Sequence, residues 1–188
     1  MKLALVKPYS ELRLNLGCGS DLRKGWVNVD LHGGAQVKLD LNSRNWPWED
    51  NSVCEVSLHH VLEHLPDTVQ VMKEIYRICQ DGAKVEIKVP HPRHDDFLSD
   101  PTHVRPITIK LLRLFSKKQC ELWAKSANTP LALMHNIDFE LIDSFLNVDE
   151  YWMNKVKDGT MTERELQEAV LLYNNIASEI GATLKVCK

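Results

Sequence analysis

No stretch of this chain approaches the ~20 consecutive apolar residues that a membrane-spanning helix needs, so no span is expected. The opening Met1-Lys-Leu-Ala-Leu-Val-Lys-Pro8 holds too short an apolar run for a signal peptide. Cysteine is sparse and scattered. The five residues (Cys18, Cys54, Cys79, Cys120, Cys187) include no Cys-x-x-Cys pair and support neither a zinc knuckle nor a disulfide framework. That usage points to a reducing, cytoplasmic setting. An excess of positive charge is also missing. The formal net charge of −3 gives no general field for a polyanion and disfavours nucleic acid as a partner. Internal repeats, low-complexity tracts and linkers are absent. With 188 residues, 44% hydrophobic and 26% charged, the chain reads as one globular domain, residues 1–188, with enough length for a core.

What is present begins with Leu12-Arg-Leu-Asn-Leu-Gly-Cys-Gly-Ser20, followed by Val27-Asn-Val-Asp30. This reads as a buried strand, a glycine turn and a second strand ending in an acid. Gly17 and Gly19 permit a sharp turn and close approach of a ligand. Asp30, at a strand's carboxyl end, is placed to accept two hydrogen bonds from a ribose diol. A dinucleotide fingerprint would need a third glycine, where this chain has Leu22, and an acid ~20 residues on. Only Ser20 to Gly25 separate the turn from the next strand. That is too short for a crossover helix whose N-terminus would hold a diphosphate. The site is adenosine-shaped but poorly built for a diphosphate.

Strands are expected near 12–16, 26–30, 36–39, 53–58 and 84–89. A helix is expected over Thr68–Gln80, with Asp67 as N-cap, Val69, Met72, Ile75, Tyr76 and Cys79 at helical spacing, and Gly82 as its stop. Strand 84–89 alternates Val85, Ile87 and Val89 with Lys84, Glu86 and Lys88. A fully buried parallel strand is apolar on both faces. One face of this sheet is therefore under-covered or met by polar loops, which points to a homodimer. After Pro90 comes a long polar loop, and residues 91–135 read as a substrate-side loop and helical cap. Within them Pro106 opens a helix carrying Ile107, Leu111, Leu114 and Phe115, whereas residues 116–135 carry no clear period. Phe139–Val148 reads as a strand. Thr162-Glu-Arg-Glu165 is a capping box ahead of Leu166, Ala169, Tyr173 and Ile176. Ala182–Cys187 reads as a last strand.

Further ordered motifs follow the glycine turn: Lys38-Leu-Asp40-Leu-Asn42, Trp46-Pro-Trp-Glu-Asp-Asn-Ser52, Val53-Cys-Glu-Val-Ser-Leu58 and His59-His-Val-Leu-Glu-His-Leu65. On these motifs residues 12–90 resemble the class I S-adenosylmethionine-dependent methyltransferases. The likeness is to the branch with a Leu-Gly-Cys-Gly turn and a Val-Leu-Glu-His-Leu segment. The resemblance implies an α/β, Rossmann-like sheet, mostly parallel with an antiparallel last strand. It implies S-adenosyl-L-methionine as cofactor and S-adenosyl-L-homocysteine as product. Gly17, Cys18 and Gly19 would wrap the cofactor's methionine part. Asn15, where many relatives carry an acid, would bond its amino group without charge. Asp30 would hold the ribose, with Leu31 against the adenine. Asp40 and Leu41 would lie at the adenine edge, and His59 would line the methyl end.

Methyl transfer from a sulfonium is an in-line displacement. It needs an aligned nucleophile and, for some acceptors, a base. His91, His94, Asp95, Asp96 and His103 share one loop, and His103 and His91 are the leading catalytic candidates. His91-x-x-His94-Asp95 with His103 offers the ligand types of a two-His-one-carboxylate site, but loop spacing fixes no geometry, and no metal site is assigned. His60, Glu63 and His64 read as helix-start or local packing groups, and Trp46 and Trp48 as packing. No Asn/Asp-Pro-Pro-Tyr/Phe segment and no basic, aromatic-interleaved face is present. The expected function is methylation of a hydroxyl or amine on a small-molecule or glycan-type acceptor. A non-catalytic protein that binds the same cofactor and a nicotinamide-dependent reductase are the alternatives.

Overall fold

The computed structural model describes residues 11–188; the opening run Met1–Pro8 lies outside them. Four short parallel strands come first: β1 (Arg13–Leu16), β2 (Val27–Asp30), β3 (Val37–Lys38) and β4 (Val53–His59). Helix α1 (Thr68–Ile78) crosses to β5 (Cys79–Pro90). Four short helices follow: α2 (Asp95–Leu98), α3 (Ile109–Arg113), α4 (Lys117–Leu122) and α5 (Leu131–His135). The chain ends with β6 (Phe139–Val148), α6 (Glu150–Lys157), α7 (Glu163–Leu172) and β7 (Ala177–Val186). The strands form a seven-stranded sheet in the order β3-β2-β1-β4-β5-β7-β6. β1 to β5 run parallel, and β7 is antiparallel to both its neighbours. This is a Rossmann-like sheet, mostly parallel with its last strands antiparallel. Among the described residues no helix is long and apolar enough to cross a membrane.

The register explains the alternation read in strand 84–89. Residues opposite one another in paired strands share a sheet face. Leu16, Leu58, Ile87 and Ala182 form one such row, and Leu14, Val56, Val85 and Leu184 another. Val71, Met72, Ile75 and Ile78 of α1, with Leu112 and Phe115, pack with these rows in the main core. The opposite face carries Asn15, Ser57, Glu86, Thr183 and Asp143 in one row, and Arg13, Glu55, Lys84, Lys185 and Glu140 in the next. Arg13, Lys84, Glu140 and Asp143 are exposed there. The sheet therefore has a greasy side under helices and a polar side, open to water at Arg13, Lys84, Glu140 and Asp143 and covered at Asn15 and Ser57. No helix crosses from β1 to β2, β2 to β3 or β3 to β4.

Local chemistry sets the helix ends, with several shifts from expectation. Asp67 caps α1 by accepting from the Gln70 N–H at 2.9 Å. Gly82 does not stop this helix. It takes φ +76 inside β5, where pairing with β4 slips, and α1 ends instead as Cys79 turns extended. Pro106 does not open the next helix. Thr108 caps α3 by accepting from the Leu111 N–H at 3.1 Å. The box at Thr162 and Glu165 forms as read, but α7 ends at Leu172, so Tyr173 is its C-cap and Ile176 lies beyond it. β7 starts at Ala177, earlier than read, and pairs with β6 over its length.

Candidate functional site

The strand order reverses between β1 and β4. Ligands of open α/β sheets bind outside the carboxyl ends of strands at such a point. β1 ends at the glycine turn, where Cys18 donates its N–H to the Val29 carbonyl at 3.0 Å and joins the turn to β2. Gly17 has φ +64, and a Cβ there would stand 2.4 Å from Val61 Cγ2. The close approach that demands glycine at this position is thus to Val61. Gly19 has φ +49 with open space where its side chain would lie. Its N–H donates to Asp30 Oδ2 at 2.8 Å, and the His32 N–H donates to Oδ1 at 2.8 Å. Partial burial works against the Asp30 charge, yet the His32 and Gly19 amides hold its carboxyl below the ordinary value. Each oxygen keeps a lone pair for a hydroxyl donor. Leu31 beside it is 52% exposed. Acceptor pairs for a diol, open space and an apolar flank fit a nucleoside cofactor that lacks a diphosphate.

The short connection from β1 to β2 is held by Arg23. Its guanidinium donates from Nη1 to Ser57 Oγ at 2.7 Å and from Nη2 to His59 Nδ1 at 2.8 Å, and pairs through Nε with Asp21 at 2.9 Å. Asn15 donates to the Asp21 carbonyl at 2.6 Å and to Asn28 Oδ1 at 3.0 Å. Its amide protons therefore hold the loop. His59 lies between Arg23 and Glu86, whose Oε1 is 3.2 Å from Nε2. Burial outweighs the Glu86 carboxylate and, with Arg23, holds this imidazole below its ordinary value. Asp40 Oδ1 accepts from the Asn42 N–H at 2.9 Å in a local turn, and Leu41 joins the core. Burial, then the Asp30 charge, pushes the Cys18 thiol up, away from nucleophile behaviour. Of the residues suggested for the cofactor, Gly19 and Asp30 are joined by a hydrogen bond, and Leu31 next to Asp30 is exposed. Asn15 and His59 bond to the β1–β2 loop, Leu41 is buried in the core, and Asp40 is exposed with Oδ1 in its local turn.

Beyond β4, His60 takes φ +55 and swings the chain into a single 3-10 turn, Leu62–His64. The 91–106 loop returns over this turn. The Val104 and Arg105 N–H groups both donate to the Glu63 carbonyl, at 2.9 and 3.3 Å. A cavity of about 490 Å³ lies between them, lined among others by His60, Glu63, His64, Asp96, Asp100, His103 and Glu179. The Glu63 side chain is 0% exposed, and neither carboxylate oxygen has a hydrogen-bond partner. The His60 Nδ1 stands 3.6 Å from its Oε1, too far for a hydrogen bond. Glu63 and then Glu179, whose Oε2 is 3.0 Å from Nε2, hold His60 above its ordinary value against its burial.

His103 lines this cavity; His91 is not among its lining residues. His91 Nδ1 accepts from the Arg93 N–H at 3.3 Å, so the neutral ring carries its proton on Nε2. Burial and the neighbouring Arg93 hold it below its ordinary value. His94 pairs with Asp149 at 3.2 Å and ties the loop to the start of α6. The loop set His91, His94, Asp95 and His103 does not converge. Among the described residues, Glu63, His64 and His103 converge instead. The sequence reads Glu63 and His64 as local packing groups; the structure places both on the cavity wall. The signal was present in His60-Val-Leu-Glu63-His64, where the three- and four-residue spacing places these side chains on one face of a helical turn.

Residues 14–87 match the family model described as a methyltransferase domain. No curated protein matches the chain. Its fold is similar to that of a SAM-dependent methyltransferase from Archaeoglobus fulgidus, with 18% identity, TM-score 0.61, and coverage of 95% of this chain and 88% of that one. It is similar to a putative sarcosine dimethylglycine methyltransferase from Galdieria sulphuraria, with 15% identity, TM-score 0.57, and coverage of 94% and 78%. It is also similar to the cyclase SpnF, with 13% identity, TM-score 0.54, and coverage of 95% and 76%.

Proposed function

We propose, from a chain whose residues 14–87 match a methyltransferase-domain family model, that this protein transfers a methyl group from S-adenosyl-L-methionine to a hydroxyl or amine of a small-molecule or glycan-type acceptor. The observation that carries the reading is Asp30, a carboxylate with free lone pairs beside the open glycine turn at the sheet's switch point. When bound, the cofactor supplies a methyl made electrophilic by its sulfonium, whose C–S bond breaks as an acceptor lone pair bonds to carbon. Asp30 accepts from the ribose hydroxyls, and Leu31 flanks the base. The cavity beyond Val61 receives the acceptor. A proton released there passes to one of its carboxylates or imidazoles. Of the two catalytic candidates, His103 is the one we place against the acceptor. Glu63, Asp96, Asp100 and Glu179 make this cavity acidic. That charge repels phosphate-rich chains and suits hydroxyl and amine groups.

Fold alone does not decide the reaction, since a cyclase shares it. Calorimetric titration with S-adenosylmethionine, S-adenosylhomocysteine and NADH in parallel tests the reading. The two sulfur nucleosides are expected to bind and NADH is not. Asp30→Ala removes hydrogen bonds to a charged group, worth ~1.5–3 kcal/mol, and should weaken binding ~10- to 150-fold. Binding of NADH alone, or unchanged affinity in the variant, would sink this assignment. Turnover to S-adenosylhomocysteine with supplied polyol and amine acceptors separates an enzyme from a binding protein.

A further inference from the structure

The buried carboxylate of Glu63 poses a physical problem. A carboxylate taken out of water without a partner costs several kcal/mol unless a proton or a cation neutralises it. His60, 3.6 Å away, makes no hydrogen bond to it and is shared with Glu179, and the surroundings offer a second neutraliser. The ligand atoms of Glu63, His64 and His103 all lie within 4.8 Å of one another. The hydrogen bonds of both rings assign their tautomers. His103 Nδ1 lies 2.8 Å from the Phe97 carbonyl, which can only accept, so Nδ1 carries the proton. His64 Nδ1 lies 2.9 Å from Thr102 Oγ1, and that hydroxyl gives its one proton to Asp100 Oδ1 at 2.6 Å. Thr102 must therefore accept from His64. Both neutral rings are left with an unprotonated Nε2, the atom a metal takes when the other nitrogen is held by a carbonyl or hydroxyl. A proton on Glu63 would remove its charge but leave these two lone pairs unused.

We propose that Glu63, His64 and His103 form a binding site for one divalent transition-series cation. Two imidazoles and a carboxylate suit Zn²⁺, Mn²⁺, Fe²⁺ or Co²⁺ over Mg²⁺ or Ca²⁺, which favour all-oxygen shells. A cation held at ~2.1 Å by each ligand draws them to ~3.4 Å of one another, a closure of about an ångström that side-chain rotation supplies. Asp100, whose Oδ2 is 3.8 Å from His103 Nε2, stands next to the cluster. Thr102 and the Phe97 carbonyl serve as orienting groups. The site stands on this geometry alone. Its role rests on the methyl-transfer reading: a cation here presents open coordination positions to an acceptor oxygen in the same cavity.

The test uses the full chain, stripped with chelator and titrated with Co²⁺, Zn²⁺, Mn²⁺ and Mg²⁺ separately. One equivalent of Co²⁺ should bind with a visible absorption band. Zn²⁺ and Mn²⁺ should bind calorimetrically, with Mg²⁺ at least 100-fold weaker. Glu63→Gln keeps the shape and removes the charge. It should lose affinity at least 100-fold while its thermal midpoint without metal holds or rises. His64→Ala and His103→Ala should lose the site, and His135→Ala should not. Absence of stoichiometric binding by Co²⁺, Zn²⁺ and Mn²⁺ overturns the proposal, as does binding undiminished in Glu63→Gln and His103→Ala. Cofactor titration of the same Glu63→Gln protein keeps the two readings apart. Retained S-adenosylmethionine binding with lost metal binding supports both, and failure of either ligand on the wild type refutes only its own site.

Discussion

Gly17→Ala tests how the glycine turn is seated. A methyl at this position would stand 2.4 Å from Val61 Cγ2 and 3.0 Å from Cγ1, and the backbone at φ +64 lies where L side chains are disfavoured. The two costs are separable. The left-handed conformation contributes ~1–2 kcal/mol, and overpacking against a buried neighbour contributes ~1–3 kcal/mol. Gly17→Ala should therefore lose ~2–5 kcal/mol of unfolding free energy. Val61 is 7% exposed, and Val61→Ala on its own should cost about 2 kcal/mol through lost burial and a small cavity. In the double variant both Cγ atoms are gone, and the nearest remaining Val61 atom is its Cβ, at 3.3 Å. The clash disappears while the left-handed cost stays. A double-mutant cycle by urea denaturation should then show ~1–3 kcal/mol of favourable coupling. Strict additivity would refute the packing argument. A Gly17→Ala protein as stable as the wild type would refute both parts of it.

Arg77, Thr162 and Cys79 give the other expected outcomes. Arg77 donates to Glu74 Oε2 at 2.8 Å, to the Trp46 carbonyl at 3.0 Å and to the Trp48 carbonyl at 2.9 Å, stapling the tryptophan turn to α1. Arg77→Ala leaves the buried Glu74 without its cation and should cost ~3 kcal/mol in urea denaturation; a loss below about 1 kcal/mol would refute the staple. Burial opposes the Glu74 charge, but Arg77 and the Trp46 N–H hold its carboxyl below the ordinary 4.5. A depressed carboxyl stabilises fully above its unfolded value and loses that contribution as pH falls toward the folded one. Arg77→Ala should therefore flatten the acid limb of wild-type stability below about pH 4.5. Thr162→Ala removes the cap of α7 and should cost ~1 kcal/mol, read as a lowered thermal midpoint. Burial pushes the Cys79 thiol up to about 12, so iodoacetamide at pH 8 should leave Cys79 unmodified in the native protein; its modification at the rate of an exposed thiol would contradict the burial.

The legible parts of the sequence were those where one local rule acted alone. Asp67 ahead of Met72 and Ile75 carries both a cap and a period, so α1 was readable to within two residues of its end. The alternation of Lys84, Glu86 and Lys88 with Val85, Ile87 and Val89 gave the unequal faces of the sheet, because the side-chain period of a strand is two. Gly82 is ambiguous in sequence, because a glycine after a helix and a glycine within an irregular strand look alike. α4 and α5 span too few turns to show a period at all. At the site, Asp30 was readable from its place at a strand end. The occupation of Asn15 and His59 was not, since it depends on Asp21 and Asn28 meeting Asn15 and on Arg23 reaching across to His59. Nor was the burial of Glu63, which is decided by a loop some forty residues later folding back onto its carbonyl.

The bare side of the sheet has a consequence for which amides open first. β3 has only two residues, is bonded to one neighbour, and is joined to β2 and β4 by loops with no helix over either crossing. Its hydrogen bonds are held by the ladder with little packing behind them, since Val37 is half-buried and Lys38 exposed, whereas β2 anchors Val29 in the core. Protection against solvent exchange should therefore fall steeply from β4 and β5 toward this edge. Asp30, the residue placed to grip a nucleoside, sits on that loosely held margin. A ligand bound there at 100 times its dissociation constant adds ~2.7 kcal/mol to the closed form alone. The edge that binds is thus also the edge that binding makes firm, and slowed exchange at Val29 and Asp30 would report occupancy without any assay of turnover.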